Sequence, residues 1–323
     1  MDGNIEPRTV TEKQISVSPK ESMAPQGSDH ASMKVRRPTM DAVGVLDGVF
    51  NRAKAKDEFE YVCALIGMDG LLYRVNVLGE TWHVFRDISA LMDAPLKDET
   101  RLRLGLLLYC HLMEAKPLYG VLENMLLAVE GKRCAMSPFG PLFQRTKKSR
   151  GKLMPEFIPP SAKQVIRFVV EHARKHDEGD LATLLETVFD DGLRNAFFHA
   201  DYAIVGDELH SRHSWFEVEN ERRQVLKIHE VARTIRNAMA FYAAFEHVYV
   251  EHRLSYKEER RTRGRWAADG SEMDMYIYVD PNGGGLVGIG NLPRATSKAA
   301  ASDGSGGVAN DGSVQDAPEP GSG

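Results

Sequence analysis

Arg194, Asn195 and His199 place a guanidinium, an amide and an imidazole within six residues. A guanidinium keeps its charge and forks onto phosphate oxygens, while an imidazole gains and loses a proton near neutral pH. Together they suit a site where phosphate binding meets proton transfer. Around them Leu181, Leu184, Leu185, Val188, Phe189, Gly192, Leu193, Ala196 and Phe197 recur at helical spacing. That spacing predicts one amphipathic helix over about 181–198, with the three polar groups at the rim of its core face. At about 100° per residue, Asn195 and His199 lie roughly 40° apart, but Arg194 and His199 lie roughly 140° apart. The pair can cooperate if the helix ends near Phe198, if the long arginine bends round, or if the two meet across a dimer interface.

The Arg194-Asn195-x-x-x-His199 pattern resembles the Arg–polar–x3–His signature of the HEPN superfamily, many of whose members are metal-independent RNases. The preceding helix, the following "HADYAIV" and the upstream run "LYCHLMEAKPLYGVLENMLL" extend the likeness over roughly residues 100–250 to an uncharacterised bacterial branch of that group. The resemblance implies a HEPN-like helical bundle and often a homodimer with two motifs facing one groove. It also implies an acidic or polar helper from an earlier helix, for which Glu114 is the candidate, with Glu123 behind it. A surface salt-bridge partner is the plainer role for Glu114. In bacteria such proteins commonly act as toxins or in phage defence, so an antitoxin protein is a further expected partner.

As an RNase motif its chemistry is definite. RNA supplies its own nucleophile, the 2′-hydroxyl. His199 would take that proton as general base, and Arg194 would hold the scissile phosphate and the charge developing on it. Asn195 would orient His199 or donate to the phosphate. No metal or cofactor is required, and the product would carry a 2′,3′-cyclic phosphate. The plainer reading has Arg194 and Asn195 ending a helix, where cations and Asn are favoured, with His199 opening the next turn. A second class of function is a HEPN-like module that binds a nucleotide, RNA or a protein without cutting.

Other residues bear on RNA binding or metal. Tyr202 is expected either to stack on a base or to sit at the core edge. The basic run Arg145, Lys147, Lys148, Arg150 and Lys152 could grip an RNA backbone, as could the net-basic segment 251–265. His172 and His176 have the i,i+4 spacing of zinc ligands, but no Glu follows the first His and no third ligand is evident in the sequence. His210 and His213 are similar, and no metal is expected. A metal-dependent enzyme built on the paired histidines is the weakest reading. Gly283-Gly284-Gly285 lacks the Lys-Ser/Thr of a phosphate-binding loop.

The chain has 323 residues, 42% hydrophobic, with a net charge of −5 and a pI near 6.1. This argues against a non-specific nucleic-acid coat while leaving room for a local basic groove. Cys63, Cys110 and Cys134 are far apart and read as free thiols rather than a disulfide framework or a zinc ribbon. No signal peptide or membrane span is visible, so a cytoplasmic location is expected.

The expected architecture is mainly α, a HEPN-like helical bundle with one or more small β-hairpins and disordered termini. Residues 1–39 read as a disordered segment and 40–250 as the helical domain. Residues 251–293 read as a basic segment with a β-hairpin, and 294–323 as a disordered Gly/Ser/Ala-rich tail. Within the domain, one or two helices run to about Gly67. "LLYRVNVLGETWHVF" alternates like a hairpin turning at Gly79-Glu80. Helices follow over 99–116 and 118–130, then a Pro-rich connection, a helix over 161–176 and the motif helix. A short hairpin turning at Gly206-Asp207 and a long closing helix from Arg222 to Tyr249 complete it. "MDMYIYVDPNGGGLVGIGNL" reads as a last hairpin around Asp280-Pro281-Asn282-Gly283.

Overall fold

Local caps punctuate the chain before any packing is considered. In the computed structural model, which describes residues 41–67, 77–145, 157–218, 221–265 and 271–291, Asp41 opens the first helix by accepting from the Gly44 N–H at 3.1 Å. Helix α1 is Ala42–Lys56 and α2 is Glu58–Ile66. Asp57 divides them: its backbone N–H closes α1 and its carboxylate accepts from the first turn of α2. An extended residue with a capping carboxylate cannot continue a helix, so the chain turns there.

Then come α3 (Val77–Met92), α4 (Asp98–Met113) and α5 (Lys116–Val129), with Pro117 in the first turn of α5, where its missing N–H costs nothing. Strand β1 (Gln144–Arg145) pairs antiparallel with β2 (Phe157–Ile158). A Ser161–Gln164 capping box starts α6 (Ala162–Lys175). Next are α7 (Gly179–Val188), α8 (Asp191–Phe198), β3 (Tyr202–Val205), β4 (Glu208–Ser211), β5 (Phe216–Val218), β6 (Glu221–Arg223) and β7 (Val225–Lys227). The 27-residue α9 (Ile228–Leu254) precedes β8 (Arg260–Gly264), β9 (Met273–Val279) and β10 (Leu286–Gly290).

The described residues thus form a mainly helical protein with small antiparallel sheets. Helix α1 packs on α2, α5, α7 and α9, and α9 also packs on α4 and α7. Leu46, Val49, Phe50 and Ala53 of α1 and Phe241, Tyr242, Phe245 and Val248 of α9 are closed to solvent where the two helices pack, with the Phe50 and Phe245 rings edge to face at 6.3 Å. One polar thread crosses it: His252 of α9 bonds Asp47 of α1 through Nε2 at 2.9 Å and the Tyr61 hydroxyl of α2 through Nδ1 at 2.6 Å. Burial raises the Tyr61 hydroxyl far above its usual range, keeping it neutral.

Three expectations change. The hairpin proposed around residues 70–85 is not formed within its described part, because residues 77–92 are helix; 68–76 lie outside the described residues. Trp82 meets Tyr249 and Phe85 meets Tyr242, with ring centroids 5.4 and 4.9 Å apart, so α9 selects the helical face of a segment whose composition favours strand. The closing helix begins at Ile228 rather than Arg222, because Arg222 and Arg223 lie in β6 and residues 225–227 pair with β4. It also runs through Leu254, so the boundary expected at 250 falls inside it. The third change, in the motif helix, is described with the site.

The hairpin turning at Gly206-Asp207 forms as expected, between β3 and β4, while β5 pairs with β6. The last hairpin also forms and gains β8 as a third strand, in the order β10-β9-β8. This sheet docks on α2. Gly264 lies against the Phe59 ring so closely that an added Cβ would stand 2.2 Å from it. Arg260 pairs with Glu58, and Arg265 pairs with Asp57 at 3.0 Å. The expected disordered termini, 1–39 and 294–323, lie outside the described residues. No helix among the described residues is long and apolar enough to cross a membrane.

Helix α8 passes close against the chain entering β5, where a Cβ at Gly192 would lie 2.1 Å from the Trp215 carbonyl oxygen. Gly192→Ala should therefore destabilise the protein by roughly 2–4 kcal/mol despite the better helix propensity of Ala. Urea unfolding monitored by circular dichroism measures this, and a neutral or stabilising result would contradict this close approach.

Candidate functional site

The expected continuous helix over 181–198 is two helices. It ends at Val188 and restarts at Asp191, with Phe189 and Asp190 extended between them. The Asp190 carboxylate caps α8 by accepting from the Leu193 N–H at 2.9 Å. Its backbone is held from α4, where the Tyr109 hydroxyl accepts the Asp190 N–H at 2.7 Å and donates to the Asp190 carbonyl at 3.1 Å. The apolar stripe accordingly serves two partners: α7 packs on α6, α9 and α1, and α8 packs on α4.

The C-terminal end of α8 is equally defined. Ala200, at φ 50°, takes the left-handed position after the helix. Its N–H reaches the Phe197 carbonyl at 3.0 Å, and the Asp201 N–H reaches the Ala196 carbonyl at 2.8 Å. This is Schellman-type closure with alanine where glycine is usual. It leaves His199 as the C-cap residue with an exposed side chain. Asp201 then fastens the next loop by accepting from the backbone N–H groups of His213 and Ser214 at 2.8 and 3.1 Å.

A cleft of about 1380 Å³ opens here, between α6, α8 and the loop after β4. Lys163 and Arg167 of α6, Asn195, His199, Tyr202, Arg212 and Trp215 are on its walls. Lys163 pairs with Asp191 at 2.5 Å. Trp215 is 52% exposed, an unusual placement for a large ring and one open to stacking.

Arg194 does not line the cleft but sits behind Asn195. Its guanidinium pairs with Glu114, donates to Asn195 Oδ1 at 2.7 Å and lies 4.8 Å from the Phe198 ring centre. Arg194 and Glu114 are both largely shielded, at 21% and 29% side-chain exposure. The Arg194 Nε is buried and has no hydrogen-bond partner. Because arginine can only donate, Asn195 Oδ1 must be the acceptor, and the amide NH2 of this cleft-lining residue is left to donate.

The structure therefore brings together Arg194, Asn195 and Glu114, and places His199 and Tyr202 with Asn195 on the cleft. No hydrogen bond or ion pair joins Arg194 to His199 among the described residues. Tyr202 is half-buried and stacked on Phe197, centroids 5.6 Å apart. Glu123 lies elsewhere, against His172. Arg145 is in β1, while Lys147, Lys148, Arg150 and Lys152 lie outside the described residues. The second basic run is largely occupied: Arg253 donates to the Leu286 carbonyl, and Arg260, Arg261, Arg263 and Arg265 face Glu58, Asp274, Glu272 and Asp57.

No family model, curated protein or solved structure matches this chain.

Sequence reasoning missed Lys163, Arg167, Arg212 and Trp215. The i,i+4 spacing of Lys163 and Arg167 marks one polar face of α6, but which element faces it is a tertiary fact. It also missed the break at Asp190, although Asp190-Asp191 interrupting an apolar stripe ahead of Leu193 is an N-cap signal.

Asp190 titrates unusually. Burial pushes its carboxyl up to about 6, against the hydrogen bonds from Leu193 and Gly192 that pull it down. A raised carboxyl pKa means that the folded state binds more protons between pH 4 and 6, so this group's contribution to stability falls as pH rises through that window. Asp190→Asn keeps a capping oxygen and removes the titration. Its stability relative to the parent should be about 2 kcal/mol more favourable at pH 7 than at pH 4.5. Paired urea melts at the two pH values test this, and a pH-independent difference would refute the assignment.

Proposed function

We propose that this chain is a metal-independent endoribonuclease of the HEPN type, built on a HEPN-like bundle. The observation that carries the reading is the cleft wall on which the His199 imidazole and the Asn195 amide stand beside Lys163, Arg167 and Arg212. His199 takes the proton from a ribose 2′-hydroxyl. The freed oxygen attacks the adjacent phosphorus, the bond to the 5′-oxygen breaks, and that oxygen takes a proton from water. Asn195 donates to a phosphate oxygen. Arg194 holds the Asn195 amide in place and lends positive charge to the phosphate, with Glu114 fixing the guanidinium. Trp215 and Tyr202 offer faces for bases, and the cations take the backbone, as sequence-tolerant single-strand binding requires. A homodimer, a toxin or phage-defence role in the cytoplasm and an antitoxin partner belong to the same proposal.

One observation favours a second reading. The Arg194 charge is already matched by Glu114, so the motif also works as a clasp holding α8 on α4, leaving a cleft that binds RNA or a nucleotide without cutting it.

Total RNA incubated with the purified protein in EDTA separates the two. The enzyme reading expects cleavage with 2′,3′-cyclic phosphate ends, intact DNA, and a loss of roughly 10²–10⁴-fold in His199→Ala. Arg194→Ala should lose at least about tenfold while remaining folded by circular dichroism. Intact RNA with retained binding supports the module, and an Arg194→Ala protein that cuts normally ends the mechanism.

A further inference from the structure

His172 and His176 stand one turn apart at the C-terminal end of α6, and both rings reach Glu130, the residue that caps α5. One donor atom from each of the three lies within 4.8 Å of the others. His172 Nε2 is 3.1 Å from one Glu130 oxygen, and His176 Nε2 is 2.6 Å from the other. On the far side of its ring, His172 Nδ1 bonds Glu123 at 2.7 Å, a carboxylate only 3% exposed. With Nδ1–H donated to Glu123, the Nε2 lone pair of a neutral His172 points at a carboxylate oxygen, an arrangement that calls for a positive centre between them.

Protonation of His172 would satisfy that ring, and the hydrogen bond to Glu123 does raise its pKa, against the effect of burial. It leaves His176 unexplained. Its Nε2 is buried and makes no hydrogen bond, although the Glu130 oxygen is only 2.6 Å away. That oxygen lies off the direction in which the ring could donate. The two rings meet edge to face with centroids 4.9 Å apart, so charging both would set two cations against each other.

We infer that Glu130, His172 and His176 bind one divalent transition-metal ion of the zinc class, which clamps the end of α5 to the end of α6. Two imidazoles and a carboxylate are a donor set for such an ion. Tetrahedral ligands at zinc distances stand about 3.3 Å apart, so His176 and Glu130, now 2.6 Å apart, must open while the three donors, within 4.8 Å of one another, draw in around the ion. Glu123 is the outer carboxylate that fixes the His172 tautomer. Lys132 is the competing cation, with its ammonium 2.9 Å from Glu130 and its side chain 59% exposed, free to swing outward when the metal enters. The fourth position is left to water.

Sequence spacing offered two ligands and no third, because Glu130 is 42 residues from His172 and only the α5–α6 packing brings it in. His210 and His213 differ, each facing its own carboxylate, Glu208 and Asp201. His172 lies nine positions beyond Lys163 and five beyond Arg167, about 13 and 8 Å along α6, and none of Glu130, His172 and His176 lines the cleft, so the inference does not rest on the RNase reading.

The test is titration of chelator-stripped full-length protein with Zn²⁺ at pH 7.5 against a chromophoric zinc indicator. One tight equivalent per chain is expected, with a rise in Tm of about 4 °C or more. His176→Gln, which leaves the His172–Glu123 bond intact, and Glu130→Gln should each weaken binding at least about tenfold, and Glu123→Gln about 10- to 100-fold. His213→Gln should leave the stoichiometry at one. Co²⁺ in place of Zn²⁺ should give the visible absorption of a tetrahedral site, abolished by His176→Gln. No saturable equivalent, or binding unaltered in a folded His176→Gln protein, overturns the assignment.

Discussion

The hydroxyl of Tyr109 is the fixed point of the site. Buried in α4, it both accepts from and donates to the backbone of Asp190, and burial keeps it neutral by raising its pKa well beyond reach. Two hydrogen bonds to one extended residue hold the chain out of helix at the point where an apolar stripe would otherwise carry it straight on. From that break follow the separate direction of α8, its docking on α4 and the exposure of His199 at its end. Eight residues are too few for a helix to persist on propensity alone, so α8 depends on this anchor, the Asp190 cap and the Schellman closure at Ala200.

Charge at the site is arranged rather than abundant. Arg194 is shared between Glu114, Asn195 and the Phe198 ring, and its carbonyl lies 3.9 Å from the Cys110 Sγ of α4. An ion pair this shielded is screened less by salt than a surface pair and ties α8 to α4 more firmly. The cations that meet solvent in the cleft come instead from α6 and from the loop that Asp201 holds. The cleft is thus assembled from three segments, each stabilised by contacts outside it.

Legibility in the sequence followed the reach of each signal. Pro117, Ser161 and Gly206-Asp207 were readable because caps and turns are decided by a few adjacent residues, whereas the break at Asp57 was left open between one helix and two. Glu114 was nameable as a partner near the motif only through a family likeness, and its pairing with Arg194 joins residues 80 apart. Residues 77–92 were misread because Val, Thr, Trp and Phe favour strands, while the face that settles the matter is supplied by α9. Arg222 and Arg223 were misread in the opposite sense: they continue the polar pattern of a helix, yet β6 takes them. Of the arrangement of Glu130 with the two histidines, only the i,i+4 spacing of the histidines is local; the carboxylate 42 residues away carries no local signature.

The strap of β8–β10 across α2 has a consequence for biosynthesis. Glu58 waits for Arg260, 202 positions later, and Asp57 waits for Arg265, 208 positions later. Phe59 likewise lies beneath Gly264. The segment that seals α2 is made about 200 residues after it, so all of α1–α9 have been synthesised while that apolar flank is still bare. Such distant pairings slow folding and leave the nascent chain dependent on shielding until β8–β10 arrive.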